Sequence, residues 1–155
     1  NLRAQAEFLL ATRDRLTALV ADVEYLRSLR AQLEARNKEL ANDPRAARLL
    51  ALGEAALERI TAIEKLLYNP NAEVNYDILA GRDGGAKLYS RYGWLYLTAL
   101  DHNGPPTQGS VEVSRELAAL YQQSATELQS LVNEDLKQLN DLAAEIGRTY
   151  VTVDR

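Results

Sequence analysis

The chain contains no cysteine, and His102 is the only histidine among its 155 residues. The lack of cysteine excludes disulfide bonds, thiolate metal sites and cysteine nucleophiles. A single histidine excludes an HExxH zinc site and the paired Glu-x-x-His motifs of di-iron helical bundles. We therefore predict that the chain holds no metal and no cofactor.

Basic charge and long apolar runs are lacking as well. Lysine and arginine number 18 against 22 acidic residues, and the formal net charge of −4 argues against nucleic acid as the main partner. No apolar run approaches the roughly 20 residues of a membrane-spanning helix, so we predict no membrane span. No signal peptide is visible, but the chain begins at Asn1 and not at Met, so we expect a fragment or a processed product.

What the sequence does contain is helical periodicity, which is clearest between Thr107 and Gly147. Thr107 follows two prolines and is a good N-cap, whereas Gly147 can take the left-handed conformation that closes many helices. Steps of three and four place the apolar residues on one side of a helix. These residues are Leu117, Leu120, Tyr121, Leu128, Leu131, Val132, Leu139, Leu142 and Ile146.

Two seven-residue rows of mostly leucine predict another long helix over Leu2–Leu40. The turn Asn42-Asp43-Pro44 leads into a second, antiparallel helix over about Pro44–Tyr68. The third helix is irregular at its start: either two short helices flank Asp83-Gly84-Gly85, or one helix starts late at Ala86. It ends near Asp101 in both cases.

The predicted fold is all-α: an antiparallel, up-down-up-down four-helix bundle in which helices one and four are unusually long. We assign residues 1–148 to this bundle domain and 149–155 to a short extended tail. The tail is β-prone and alternating, and it either packs along the bundle or belongs to a neighbouring domain.

No catalytic constellation is recognisable. The stretch from Gly81 to Gly85 lacks the pattern of a phosphate-binding loop, and Asp101-His102-Asn103 is typical of a helix end. Acidic pairs such as Glu134 and Asp135 fit a solvated helix side better than a glycosidase cleft. We therefore predict that the chain is not an enzyme.

An aromatic cluster is the most unusual local feature. The cluster consists of Tyr89, Tyr92, Trp94, Tyr96 and the nearby Tyr76, and helical packing is one explanation of it. A contact surface for a partner protein or a glycan is the other. The residues that would form a contact surface are Tyr89, Trp94 and Tyr96. Trp94 is the best exposed anchor, because it lies off the Leu88/Tyr92/Leu95/Ala99 side of the helix.

Three segments of the chain resemble one group of large bacterial proteins. They are VNY at 74–76, PTQGSVEVSREL at 106–117, and Leu139-Asn140 near the end of the last helix. These are sortilin-like β-propellers of BNR (Asp-box) repeats, often labelled glycosyl hydrolases, and the similarity is to their C-terminal helical region. It covers roughly Tyr68 to Val151. Asp77 departs from the family's usual proline, and Gly81–Gly85 replaces a more regular helical stretch.

The resemblance implies a helical domain appended to an exported propeller, in the periplasm or secreted. The leading hypothesis is a non-catalytic structural or protein-interaction domain whose partner is its own β-propeller or another protein. Two alternatives come from other classes. One is a carbohydrate-binding accessory domain that uses Tyr89, Trp94 and Tyr96, and the other is a self-assembling coiled-coil module that forms a homodimer through Leu2–Leu40.

Overall fold

The computed structural model describes residues 1–71 and 84–155, and within these ranges the protein is all-α and contains no strand. Helix α1 covers Leu2–Leu40, α2 Ala47–Leu67, α3 Leu88–Asp101, α4 Gln108–Ser130 and α5 Lys137–Ala144. The all-α prediction is confirmed, whereas the up-down-up-down order stays a prediction. A helix beginning near Tyr76 would lie outside the described residues.

Helix α1 has the predicted bounds, and its leucine rows supply much of the core. One of the two seven-residue rows consists of Leu19, Leu26, Leu33 and Leu40, and these side chains are almost completely buried. Polar residues that interrupt the two leucine rows form hydrogen bonds of their own. Thr12 donates to the Phe8 carbonyl at 2.8 Å, and Arg30 donates to Thr61 and Glu64.

The second helix begins later than predicted. Pro44–Ala46 form a 3₁₀ turn, and α2 starts at Ala47. The Asp43 carboxylate accepts the Arg45 backbone N–H at 2.9 Å, so the predicted cap is present but initiates the tighter turn. The helix ends at Leu67, one residue before the predicted end, and Asn69 turns the chain by accepting the Asn71 N–H at 3.0 Å.

The predicted long last helix is interrupted in its hydrogen-bond pattern. Between α4 and α5, residues Leu131–Leu136 form a π-helical segment, so α4, this segment and α5 follow one another without a gap. A π turn holds about one residue more than an α turn. It therefore brings Leu131 and Leu136, five residues apart and both completely buried, to the same side.

Both ends of this helical stretch are capped as predicted. The Thr107 hydroxyl accepts the Ser110 N–H at 3.1 Å. Gly147 has φ +71, the Arg148 N–H bonds to the Ala143 carbonyl, and the Gly147 N–H bonds to the Ala144 carbonyl. This pair of bonds is a Schellman motif, which needs a left-handed residue at the position of Gly147.

The chain divides into two compact units. The first contains residues 1–23 and 65–124, and the second contains residues 24–64 and 125–155. The core of the described part of the first unit includes Leu19, Val23, Leu67, Leu88, Tyr92, Leu95, Ala99 and Leu117. That of the second unit includes Leu26, Leu29, Leu33, Leu49, Ile60, Ile63, Leu131, Leu136, Leu139, Tyr150 and Val151.

The C-terminal tail packs within the second unit. Residues 148–155 form neither helix nor strand, yet Tyr150 and Val151 are 1% and 2% exposed. Of the two alternatives for the tail, the structure shows packing on the protein's own helices. Its β-prone sequence forms no strand, because its backbone bonds with side chains of α1 and α5.

Candidate interaction surface

Helix α3 exposes three large apolar side chains on one side. Trp94, Leu97 and Leu100 are between 42% and 50% exposed. The other side of the helix is buried and carries Leu88, Tyr92, Leu95 and Ala99. A helix that is apolar on two sides is typical of one that is covered on both. We call Trp94, Leu97 and Leu100 the α3 face.

The structure separates the three aromatic residues singled out in the sequence. Trp94 is exposed, whereas Tyr89 and Tyr96 are partly buried. At about 100° per residue, Trp94 lies about 160° around α3 from Tyr96. The Tyr89 ring meets the Tyr68 ring edge-on, with the ring centres 5.4 Å apart. The three aromatics therefore do not form one continuous platform, and a glycan stacked on all three is not favoured.

A small groove lies near the start of α3. It has a volume of about 210 Å³, and its walls include the exposed apolar residues Leu66 and Leu120. Lys87 and Arg91 add positive charge to the same groove. Arg91 is one helical turn from Trp94, and its guanidinium donates to the Glu116 carboxylate at 3.2 Å. The groove thus adds an apolar and cationic margin to the α3 face.

Contacts at both ends hold α3 in place. Before the helix, the Asn69 amide donates to the Gly85 carbonyl at 2.8 Å. At its end, the Gln5 amide donates to the carbonyls of Ala99, at 3.2 Å, and His102. His102 leaves the helix with ψ 125, so the segment from Asp101 ends the helix as predicted.

The glycine-rich stretch before α3 acts as a turn where the structure describes it. Gly84 has φ +97 and Gly85 has φ +71, values that favour glycine. Residues 81–83 of the stretch lie outside the described ranges, as do VNY at 74–76 and Asp77.

Tyr92 is a buried polar group of the first unit. Its side chain is 1% exposed, and its hydroxyl has no hydrogen-bond partner among the described residues. Burial raises the pKa of this hydroxyl because the phenolate would be poorly solvated, and the positive charge of Arg15 opposes the shift. The hydroxyl is therefore held in its neutral form.

Two acidic side chains of the second unit, Glu127 and Asp135, form ion pairs with Arg59. Arg59 donates to Asp135 at 2.8 Å, to Glu127 at 3.1 Å and to the Ser130 hydroxyl at 2.9 Å. The bond to Asp135 is the main cause of the raised Arg59 pKa. Within residues 1–71 and 84–155, no group of three or more His, Cys, Asp or Glu side chains is arranged to hold a metal ion.

The chain matches no protein-family model, no curated protein and no solved structure. Function is therefore inferred from the α3 face and its surroundings. None of the described helices combines the length and apolar character that crossing a membrane requires.

Sequence reasoning identified Trp94 and missed Leu97 and Leu100. The sequence does contain a pattern that identifies them, because the three residues recur at every third position on the side of α3 opposite its core residues. It was obscured because a 14-residue helix with apolar residues on both sides has no single polar side to define its orientation.

Proposed function

We propose that this chain is a non-catalytic protein-interaction domain that docks through the α3 face. The observation that carries this proposal is the exposure of Trp94, Leu97 and Leu100 on a helix whose other side is buried. Tryptophan is strongly enriched among residues that dominate binding energy at protein interfaces. Clustered apolar exposure of this kind is typical of an interaction surface.

The proposed partner is the BNR-repeat β-propeller to which the resemblance assigns this type of domain, in an exported protein. The margin of the α3 face supports a partner surface that is apolar at its centre and acidic beside it, since Lys87 lines the adjoining groove. The sequence upstream of Asn1 in the gene tests this part directly. Asp-box repeats after a signal peptide support it, and a gene that encodes neither contradicts it.

Binding to the separately prepared propeller tests the surface. We expect Trp94→Ala to weaken the affinity by about 30-fold, which corresponds to the roughly 2 kcal/mol of a central interface residue. Isothermal titration calorimetry measures the effect. Val113→Ala is the matched control, because Val113 is a 39% exposed apolar residue of α4 in the same unit. Equal losses for both variants, or none for Trp94→Ala, would contradict docking through the α3 face.

Two other functions remain sequence-based predictions. Carbohydrate binding is weakened as an explanation by the separation of Trp94 from Tyr89 and Tyr96 around α3. Coiled-coil assembly through α1 is weakened because Leu19, Leu26 and Leu33 are each 0% exposed in the single chain. Those side chains already belong to the core and offer no surface to a second copy.

A further inference from the structure

The C-terminal tail is held by side chains that bind its backbone. The Asn140 amide donates to the Val151 carbonyl at 2.8 Å and accepts the Val151 N–H at 2.9 Å. The Gln32 amide donates to the Thr152 carbonyl at 3.2 Å and accepts the Thr152 N–H at 2.7 Å. Each amide thus bonds both polar groups of one tail residue. The Tyr25 hydroxyl donates to the Val153 carbonyl.

The same site contains a fitted place for one tail side chain. The Tyr150 hydroxyl bonds to the Asn37 side-chain oxygen, and Tyr150 is 1% exposed. A Cβ added at Gly53 would lie 2.4 Å from the Asn37 side-chain oxygen and 3.0 Å from the Tyr150 hydroxyl, so the lack of a side chain at Gly53 makes room for this hydrogen-bonded pair. We call this site, formed by Gln32, Asn37, Gly53 and Asn140, the tail groove.

A short exposed hinge joins the tail to the helix before it. Residues 147–149 are exposed, and apart from its chain neighbours no described residue has an atom within 4 Å of a Cβ built on Gly147. Only the turn at Gly147 connects the end of α5 to the buried Tyr150. Opening this turn would release the tail without changing any residue of the groove.

We propose that the tail groove is a peptide-binding site that also accepts the tail of a second copy of this chain, so that two copies exchange tails. The occupant follows from the contacts, because the groove is fitted to Tyr150–Val153 and every copy carries that segment. The bonds between groove and tail are the same within one chain or between two. Exchange therefore changes only the conformation of the hinge and makes tail binding depend on the protein concentration.

A wild-type chain holds its own tail under ordinary conditions. A tail joined by a hinge this short has an effective concentration on the order of millimolar, which exceeds the concentration of other copies in a dilute sample. The exchange is consequently measured with variants that remove competition from the chain's own tail. None of these residues belongs to the α3 face, so tail exchange can be tested independently of docking through that face.

The test mixes two variants of the 155-residue chain. The groove variant, Gln32→Ala with Asn140→Ala, keeps its tail and lacks the two side-chain amides that bind the tail backbone. The tail variant, Tyr150→Ala, keeps the groove and lacks the ring that fills it. Each variant alone is expected to have the mass of one chain, 17.2 kDa. Their mixture is expected to double that mass in size-exclusion chromatography with light scattering, through one intact tail in one intact groove.

Circular dichroism first checks that both variants are helical. If Tyr150→Ala has lost its helices, Tyr150→Leu replaces it, because this change keeps an apolar side chain in the core and removes the ring hydroxyl that bonds to Asn37. A synthetic peptide of residues 148–155 is then titrated into the tail variant. Heterodimer formation together with peptide binding supports the proposal. Peptide binding without a heterodimer overturns exchange between copies, and absence of both overturns the groove as a separable binding site.

Discussion

Tyr92 and Tyr150 are two equally buried tyrosines whose hydroxyl groups have different surroundings. Each is 1% exposed, but the Tyr150 hydroxyl bonds to Asn37, whereas that of Tyr92 has no partner within residues 1–71 and 84–155. An unpaired buried hydroxyl loses its bonds to water without compensation. Removal of the hydroxyl should therefore have opposite effects on the stability of the two units.

We expect Tyr92→Phe to leave the free energy of unfolding unchanged or to raise it by about 1 kcal/mol, since the lost group makes no bond. Tyr150→Phe is the matched control. It should lower the free energy of unfolding by about 1–3 kcal/mol, because the buried Asn37 oxygen loses its donor. Urea unfolding followed by circular dichroism measures both. A clear loss of stability in Tyr92→Phe would show that its hydroxyl has a partner.

Among the elements, the helices were the most predictable part. The leucine rows determined α1 to the residue, and the caps at Thr107 and Gly147 appear where the sequence placed them. The start of α2 was predicted too early, because a proline suits the first residue of either helix type and the bond between Asp43 and Arg45 also fits a 3₁₀ turn.

The π-helical segment was missed because the sequence was compared with α-helical spacing alone. Leu136 did not fit steps of three and four after Leu131, although both are completely buried. The tail was missed for a different reason. Asn140, Gln32 and Tyr25 come from distant parts of the chain, and their convergence on the tail backbone leaves no local pattern.

The π-helical segment predicts an unusual tolerance for deletion. Removal of the exposed Asn133 reduces the step from Leu131 to Leu136 from five residues to four, which an α-helix places on the same side. We expect this deletion to convert the segment to α-helix and to cost about 1 kcal/mol or less of unfolding free energy, a range typical of changes that leave the core in place.

Deletion of Ala119 is the matched control, because it removes an equally exposed residue from regular α-helix in α4. It rotates the residues on one side of the deletion by about 100°, which takes core leucines out of place and should cost about 3 kcal/mol or more. Thermal unfolding followed by circular dichroism compares the two variants. Equal losses would show that the π-helical segment is not an extra residue in an α-helical frame.

At the scale of the whole molecule, buried tyrosines connect folding to pH. Burial raises the pKa of Tyr25, Tyr92 and Tyr150 above the value near 10 of an exposed phenol. A raised pKa in the folded state means that the unfolded chain releases its protons first as the pH increases. The contribution of these groups to stability is therefore complete below about pH 10 and decreases as the pH rises through their folded-state pKa values.

We thus expect the urea midpoint to fall as the pH rises above about 10, with each such tyrosine contributing at most about 1.4 kcal/mol per pH unit. The double variant Tyr92→Phe with Tyr150→Phe should show a smaller fall, because it lacks two of the described tyrosines whose pKa is raised. Tyrosinate absorbance provides an independent measurement, in which some of the eight tyrosines should ionise only as the helices unfold. If all eight ionise near pH 10 while the helical signal is intact, burial does not control their protons, and the same slope should then appear in the double variant.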